Sequence, residues 1–199
     1  FREERENLYV YSPIVLPFPF SRIARRINKW FMVRALRRWM AAIGFRRPLI
    51  WTFLPTPLAR DVIRAFDPEL TVYYCIDDLA SSSLAARRIE QSEISLFREA
   101  DLVFVTSEKL RSRAAINSDH VHLFPFGVNF AKFARAKSTA LPQDLSDLRK
   151  PIIGYVGGIH KWIDFELLTE VAKRLPDMSF VLVGPIQTDT SCLTDCPNI

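Results

Sequence analysis

The 199-residue sequence holds only three cysteines, Cys75, Cys192 and Cys196, too few and too scattered for a disulfide framework. A reducing compartment is the implication. Cys192 and Cys196 lie four apart with no histidine or further cysteine beside them, so the ligand set of a structural metal site is missing. Long apolar runs are missing too. A bilayer-spanning helix needs about 18 or more apolar residues in a row, and prolines break up the most apolar stretch, LYVYSPIVLPFPF. Neither a spanning segment nor a signal peptide is read in these residues. The sequence opens on Phe1 instead of Met and closes on Pro197-Asn198-Ile199, where a strand is expected to start; both ends are expected to be cut from a longer chain.

Acidic residues are absent from one segment. Ser21 to Arg47 carries nine Lys/Arg and no Asp or Glu, so the formal net charge of +5 is a local feature and the rest of the chain is slightly acidic. Arg25, Arg26, Arg37 and Arg38 alternate there with Ile23, Ile27, Trp30, Met32, Leu36, Trp39 and Met40. At 100° per residue Ile23, Ile27 and Trp30 share one face and Met32, Leu36, Trp39, Met40 and Ile43 roughly the opposite one. A bent helix or two helices are expected. Basic residues with Trp, Phe and Met on one amphipathic element suit an anionic membrane surface, with Arg25, Arg26, Trp30, Arg37 and Arg38 as candidate contacts. A packed helix with solvated arginines is the other reading. Nucleic acid is not the expected partner, because the features that would accompany it are missing.

What is present is a hydrophobic fraction of 49%, enough for a packed core, arranged as alternating units. Leu8 to Phe18 reads as a strand running into a proline-rich loop. Leu49–Leu54 reads as a strand, Pro57–Phe66 as a helix with Pro at its start, and Leu70–Ile76 as a strand ending at Asp77-Asp78. Glu90–Ala100 is a helix, Asp101–Ser107 a strand, Glu108–Ile116 a helix and Val121–Phe126 a strand. The repeat predicts a parallel, doubly wound sheet. Ala136–Lys150 is polar and reads as a linker. Pro151 to Pro185 then forms a self-contained βαβ unit: a short strand closed by Gly157-Gly158, a helix from Asp164 to Leu175, and the strand Phe180–Val183. A glycine turn leading into a helix is a place for a phosphate, although GYVGG is not the spaced dinucleotide fingerprint.

Four patches in this order, IWTFLPTPLARDVI, YYCIDDLA, ADLVFVTSEKL followed by FPFGVNFAKF, and IIGYVGGIHKWIDFELL with FVLVGP, resemble a known family. They are similar to GT-B glycosyltransferases of the retaining family-4 type, and more narrowly to bacterial cell-surface polysaccharide members of the teichuronic-acid kind. The resemblance covers nearly all of the chain. It implies an α/β GT-B fold of two Rossmann-like parallel-sheet domains. Residues 1–135 are then an acceptor-side domain lacking its start, 136–150 the linker, and 151–199 the start of a truncated donor-side domain. The implied reaction moves a sugar from a nucleoside-diphosphate donor to a hydroxyl of a cell-surface glycan or lipid-linked acceptor, with retention. No metal or other cofactor is implied, and the expected location is cytoplasmic, peripheral on the inner face of the cell membrane. A nucleotide-sugar epimerase of the same fold and an inactive membrane-associated binding module are the alternatives.

The resemblance also nominates residues. Many relatives place a His-Asp pair where Asp77 and Asp78 end their strand, and a carboxylate there orients an acceptor hydroxyl or stabilises positive charge on the sugar. Capping of the segment through Ser81 to Ser83 is the competing role. Gly157, Gly158 and Lys161 are the candidate diphosphate contacts, with Lys161 similar to a lysine of the family's following loop. Asp164 works against an anion and is expected to point away as a cap. Where relatives commonly read Asn-Gly-Val-Asp, this chain has Phe126, Gly127, Val128 and Asn129, and Gly127 is expected to support a turn at the domain crossing.

Overall fold

The computed structural model describes residues 1–81, 86–134 and 142–199. The chain divides into two compact units, Phe1–Val128 and Asn129–Ile199. That division falls ahead of the expected boundary at residue 135. Of the expected linker, residues 136–141 lie outside the described residues, and Gln143–Ser146 is one helical turn.

The first unit opens on a short antiparallel hairpin, β1 (Arg2–Arg5) and β2 (Leu8–Val10), turned by Asn7 in the left-handed region at φ 61°. Asparagine tolerates that conformation better than most residues. The strand ends at Val10, well before Phe18. From there the proline-rich segment lacks a ladder partner, and Asn28 supplies one: its Oδ1 accepts from Leu16 N–H at 2.9 Å and its Nδ2 donates to Leu16 C=O at 3.2 Å. The basic segment is one uninterrupted helix, α1 (Arg22–Ala42), instead of two. Ser21 caps its start, accepting from Ala24 N–H, and no Gly or Pro occurs between Ser21 and Gly44. Its inward row is Ala24, Asn28, Met32, Leu36 and Met40, at i+4 spacing, which extends the second predicted stripe backwards through small and polar residues. Ile23 (73% exposed), Ile27 and Trp30 (57% exposed) remain outside. Trp39 anchors the hairpin, stacking on Phe1 at 5.0 Å and meeting Tyr9 edge-on at 5.2 Å.

Four parallel strands follow in the order β3 (Leu49–Thr52), β4 (Leu70–Cys75), β5 (Leu102–Val105) and β6 (Val121–Leu123). Between them run α2 (Pro57–Phe66), α3 (Glu90–Glu99) and α4 (Glu108–Ala115). Thr56 caps α2 ahead of Pro57, and Ser107 caps α4. Strands added always in one direction by right-handed crossovers place every helix on the same side. The core follows that rule: Ile63, Leu96, Phe97, Leu110 and Ala114 from the three helices meet Tyr73, Cys75, Val103 and Val105. The winding therefore reverses nowhere among the described residues, and a doubly wound sheet is seen only as its one half. The opposite side of the sheet carries Trp51, Tyr74, Phe104 and Phe124, with Trp51 against Phe104 at 5.3 Å and Phe104 against Phe124 at 4.8 Å.

The second unit holds α5 (Phe130–Ala134), α6 (Gln143–Ser146), β7 (Ile152–Val156), α7 (Phe165–Arg174) and β8 (Ser179–Val183). β7 and β8 pair in parallel around α7, as the sequence predicts for a βαβ unit. Ala172 and Phe180 pack with Cys196 into its small core. Asn129 caps α5, its Oδ1 accepting from Lys132 N–H at 3.0 Å. It thus keeps the capping role that an aspartate would have there.

Replacing Asn28 by alanine removes both bonds to Leu16. We expect a loss of about 1–2 kcal/mol in urea unfolding, together with new proteolytic cleavage between residues 13 and 20.

Candidate functional site

The carboxyl ends of parallel strands are where α/β sheets receive ligands. In the first unit two ties hold β4 in register, one at each of its ends. Asp101 Oδ2 accepts from Thr71 N–H at 2.7 Å at the start of β4, and the Thr106 hydroxyl donates to Ile76 C=O at 2.6 Å just past its end. Asp77 and Asp78 come next.

The two aspartates are treated differently. Asp77 is exposed, and its carboxylate makes no hydrogen bond or ion pair among the described residues. Its backbone carbonyl accepts from Leu79 N–H at 3.0 Å. Asp78 is half-buried, and its Oδ1 accepts from Arg113 Nη1 at 2.9 Å. Among the described residues neither side chain caps the segment that follows; the Asp78 backbone carbonyl accepts from Ser81 N–H at 3.1 Å and from its hydroxyl at 2.8 Å. Ser82 and Ser83 lie outside the described residues. A cavity of about 390 Å³ opens beside this turn, lined by Asp78, Ala80, Ser81, Arg87, Glu90 and Arg113.

Behind Asp78 lies a buried network that the linear pattern did not announce. Arg113 Nη2 pairs with Glu93 Oε2, and Glu93 is 0% exposed. The other oxygen of Glu93 accepts from the Tyr73 hydroxyl at 2.7 Å, with the Cys75 thiol 3.8 Å away. Burial works to lower the pKa of Arg113, but the negative charges of Glu93 and Asp78 outweigh it and hold the guanidinium above its ordinary value. Burial first, then the neighbouring Cys75 and Glu93, raise the pKa of Tyr73. The Cys75 thiol is pushed up from 9.0 to about 12, chiefly by burial and then by Glu93. Glu93 carried one readable signal. It falls three and four residues before Leu96 and Phe97, so a charge sits in the apolar stripe of α3.

In the second unit the glycine turn is partly spoken for. Gly157 N–H donates to Val183 C=O at 2.9 Å, so it belongs to the sheet, whereas Gly158 N–H makes no hydrogen bond among the described residues. Gly184, at φ 153°, runs so close to this turn that a Cβ would lie 1.9 Å from the Gly157 carbonyl oxygen. Only glycine fits there. Asp164 caps α7, its Oδ1 accepting from Leu167 N–H at 2.9 Å, and Lys161 in the loop before it is exposed. Between Gly158 and Lys161, His160 is half-buried and stacks on Trp162 with ring centroids 3.8 Å apart, a contact the sequence did not suggest.

The α1 candidates divide by direction. Arg25 faces α2, 3.1 Å from Asp61, and Arg37 donates to Ala65 C=O at 2.7 Å while lying over the Phe66 ring. Arg26, Trp30 and Arg38 face outward with Lys29 and Arg34 along an open groove of about 640 Å³. No helix among the described residues is long and apolar enough to cross a membrane.

No family model matches the chain. Over 162 residues, 75% of its length, it is 25% identical to a Bacillus subtilis (strain 168) protein named "Putative teichuronic acid biosynthesis glycosyltransferase TuaH". The chain spans 40% of that protein's length.

The raised thiol gives an alkaline limit to stability. The folded chain holds the Cys75 proton more tightly than the unfolded chain does, so this contribution is whole below about pH 9 and is lost as pH rises toward 12. Denaturant unfolding between pH 8 and 11 is expected to show stability falling with pH, and Cys75→Ala to flatten that fall. A slope unchanged by the substitution would assign it elsewhere.

Proposed function

We propose that this chain belongs to a retaining glycosyltransferase of the GT-B family-4 type. The first unit would serve the acceptor and the second the nucleoside-diphosphate sugar. The observation that carries the reading is the unpartnered Asp77 carboxylate at the carboxyl end of a buried parallel strand, with Asp78 anchored beside it. In the reaction the bond between the anomeric carbon and the diphosphate oxygen breaks, and its electron pair leaves with the nucleoside diphosphate. The acceptor oxygen forms the new bond on the same face of the sugar and passes its proton to the departing diphosphate oxygen. Positive charge gathers near the anomeric carbon and negative charge on the departing diphosphate, so both need stabilising in the transition state.

Asp77 supplies the negative charge near the sugar and orients the acceptor hydroxyl. Gly158 N–H and Lys161 take the diphosphate; since these groups neutralise it, neither a metal nor another cofactor is assigned a step. The donor is a nucleotide sugar, and the acceptor a hydroxyl of a bacterial cell-envelope glycan or lipid-linked intermediate. The exposed face of α1 supports peripheral attachment at the inner membrane face. Ile23, Ile27, Trp30 and Phe31 stay exposed beside Arg26, Lys29, Arg34 and Arg38, a combination suited to an anionic lipid surface.

Two experiments test the reading. In the full-length protein, Asp77→Asn should lower transfer from UDP- or GDP-sugars by roughly 100-fold or more with an unchanged Tm, and Lys161→Ala should weaken UDP binding about tenfold. Unchanged rates and affinity would remove these residues from the site, and conversion of the free nucleotide sugar without acceptor would assign an epimerase instead. For the membrane, co-sedimentation should favour anionic over neutral liposomes, weaken with salt, and fall for a Trp30→Ala, Arg26→Glu, Arg38→Glu variant. Equal binding to both lipids sinks that part.

A further inference from the structure

The two arms of Arg113 do not serve the same purpose. One Nη closes an ion pair with the wholly buried Glu93, and that alone answers the cost of a charge inside the core. The other reaches Asp78, which is part-exposed and could be solvated without it. Through this fork one guanidinium ties the turn after β4 to α3 and α4 at once. Glu93 is itself braced by the Tyr73 hydroxyl at 2.7 Å, so the tie runs back into β4.

We propose that Arg113 is a positioning residue: braced on Glu93, it fixes the Asp78 carboxylate and thereby the Asp77–Ser81 turn that presents the Asp77 carboxylate. The inference rests on the acceptor-side role proposed for Asp77. Arg113 touches no reacting atom. It acts through Asp78, whose carbonyl takes both Ser81 groups, and through the close of the turn at Leu79 N–H on the Asp77 carbonyl. Arginine is demanded here because a planar fork reaches two carboxylates in fixed directions, while a lysine is a single point of charge.

That difference supplies the test. Arg113→Lys retains a cation for Glu93 and gives up the second arm; Asp78→Ala gives up the same arm without touching the buried pair. By hydrogen exchange of the chain, both variants are expected to lose roughly tenfold protection at the Leu79 and Ser81 amides, with β5 and α7 unchanged. In the full-length protein both should lower kcat for UDP- or GDP-sugar turnover with KM little altered, and the double variant should be no worse than either alone. Wild-type exchange at Leu79 and Ser81 in Asp78→Ala overturns the proposal even where Arg113→Lys fails to fold. Additive losses in the double variant, or protection lost evenly across the unit, overturn it as well. If Asp77→Asn leaves turnover unchanged, the acceptor-side assignment falls, and the exchange data still decide whether Arg113 holds the turn.

Discussion

A carboxylate inside an apolar core has to be neutralised or it expels itself, and Glu93 is that carboxylate. Arg113 from α4 and Tyr73 from β4 converge on it, so three elements share one polar contact in the middle of an otherwise hydrophobic cluster. Removing one partner of such a pair typically costs about 3–5 kcal/mol, because the other is left charged and unpaired. The position of α4 against β4 is therefore tied to charge as well as to packing. The turn carrying Asp77 and Asp78 inherits that order, since the same guanidinium reaches out of the core to hold it.

Winding direction decides what the sheet of the first unit offers. With β3 to β6 added in one direction, the helices cover one face and build the core, while Trp51, Tyr74, Phe104 and Phe124 gather on the other. Even there Val72, level with Trp51 and Leu102, is only 2% exposed. α1 follows a different economy. It turns small and polar residues, Ala24 and Asn28, inward and leaves Ile23 and Trp30 outside, the reverse of what hydrophobicity by itself would favour.

Much of the architecture was readable in the chain. Apolar runs at Leu70–Cys75 and Leu102–Val105, and the Pro57 start of α2, are local signals and appeared where they were expected. So was the role of Asp164, because a cap is decided within one turn of chain. The hairpin at Arg2–Val10 escaped notice because its residues are charged and its strands short. α1 is one helix where two were an alternative, because the periodicity argument counted large apolar side chains, whereas the inward row begins with an alanine and an asparagine. Trp162 on His160 is a contact within one loop whose geometry no spacing rule supplies.

By itself the sequence determined the strand and helix segments, the charge block of α1 and the places where a parallel sheet would end, since propensity, periodicity and capping act over a few residues. It also brought Asp77 and Asp78 to the end of β4, but as an undivided pair. Only the tertiary structure distinguished them. A salt bridge between residues 35 apart in the chain, set by the packing of α3 and α4 on β4, anchors Asp78 and leaves the Asp77 carboxylate without a partner among the described residues. The same holds for Gly157 and Gly158, neighbours of one residue type: the sheet takes the N–H of the first and not of the second. Hydrogen-bond partners are shared out by the fold, and that division is what separates a candidate site from a pair of motifs.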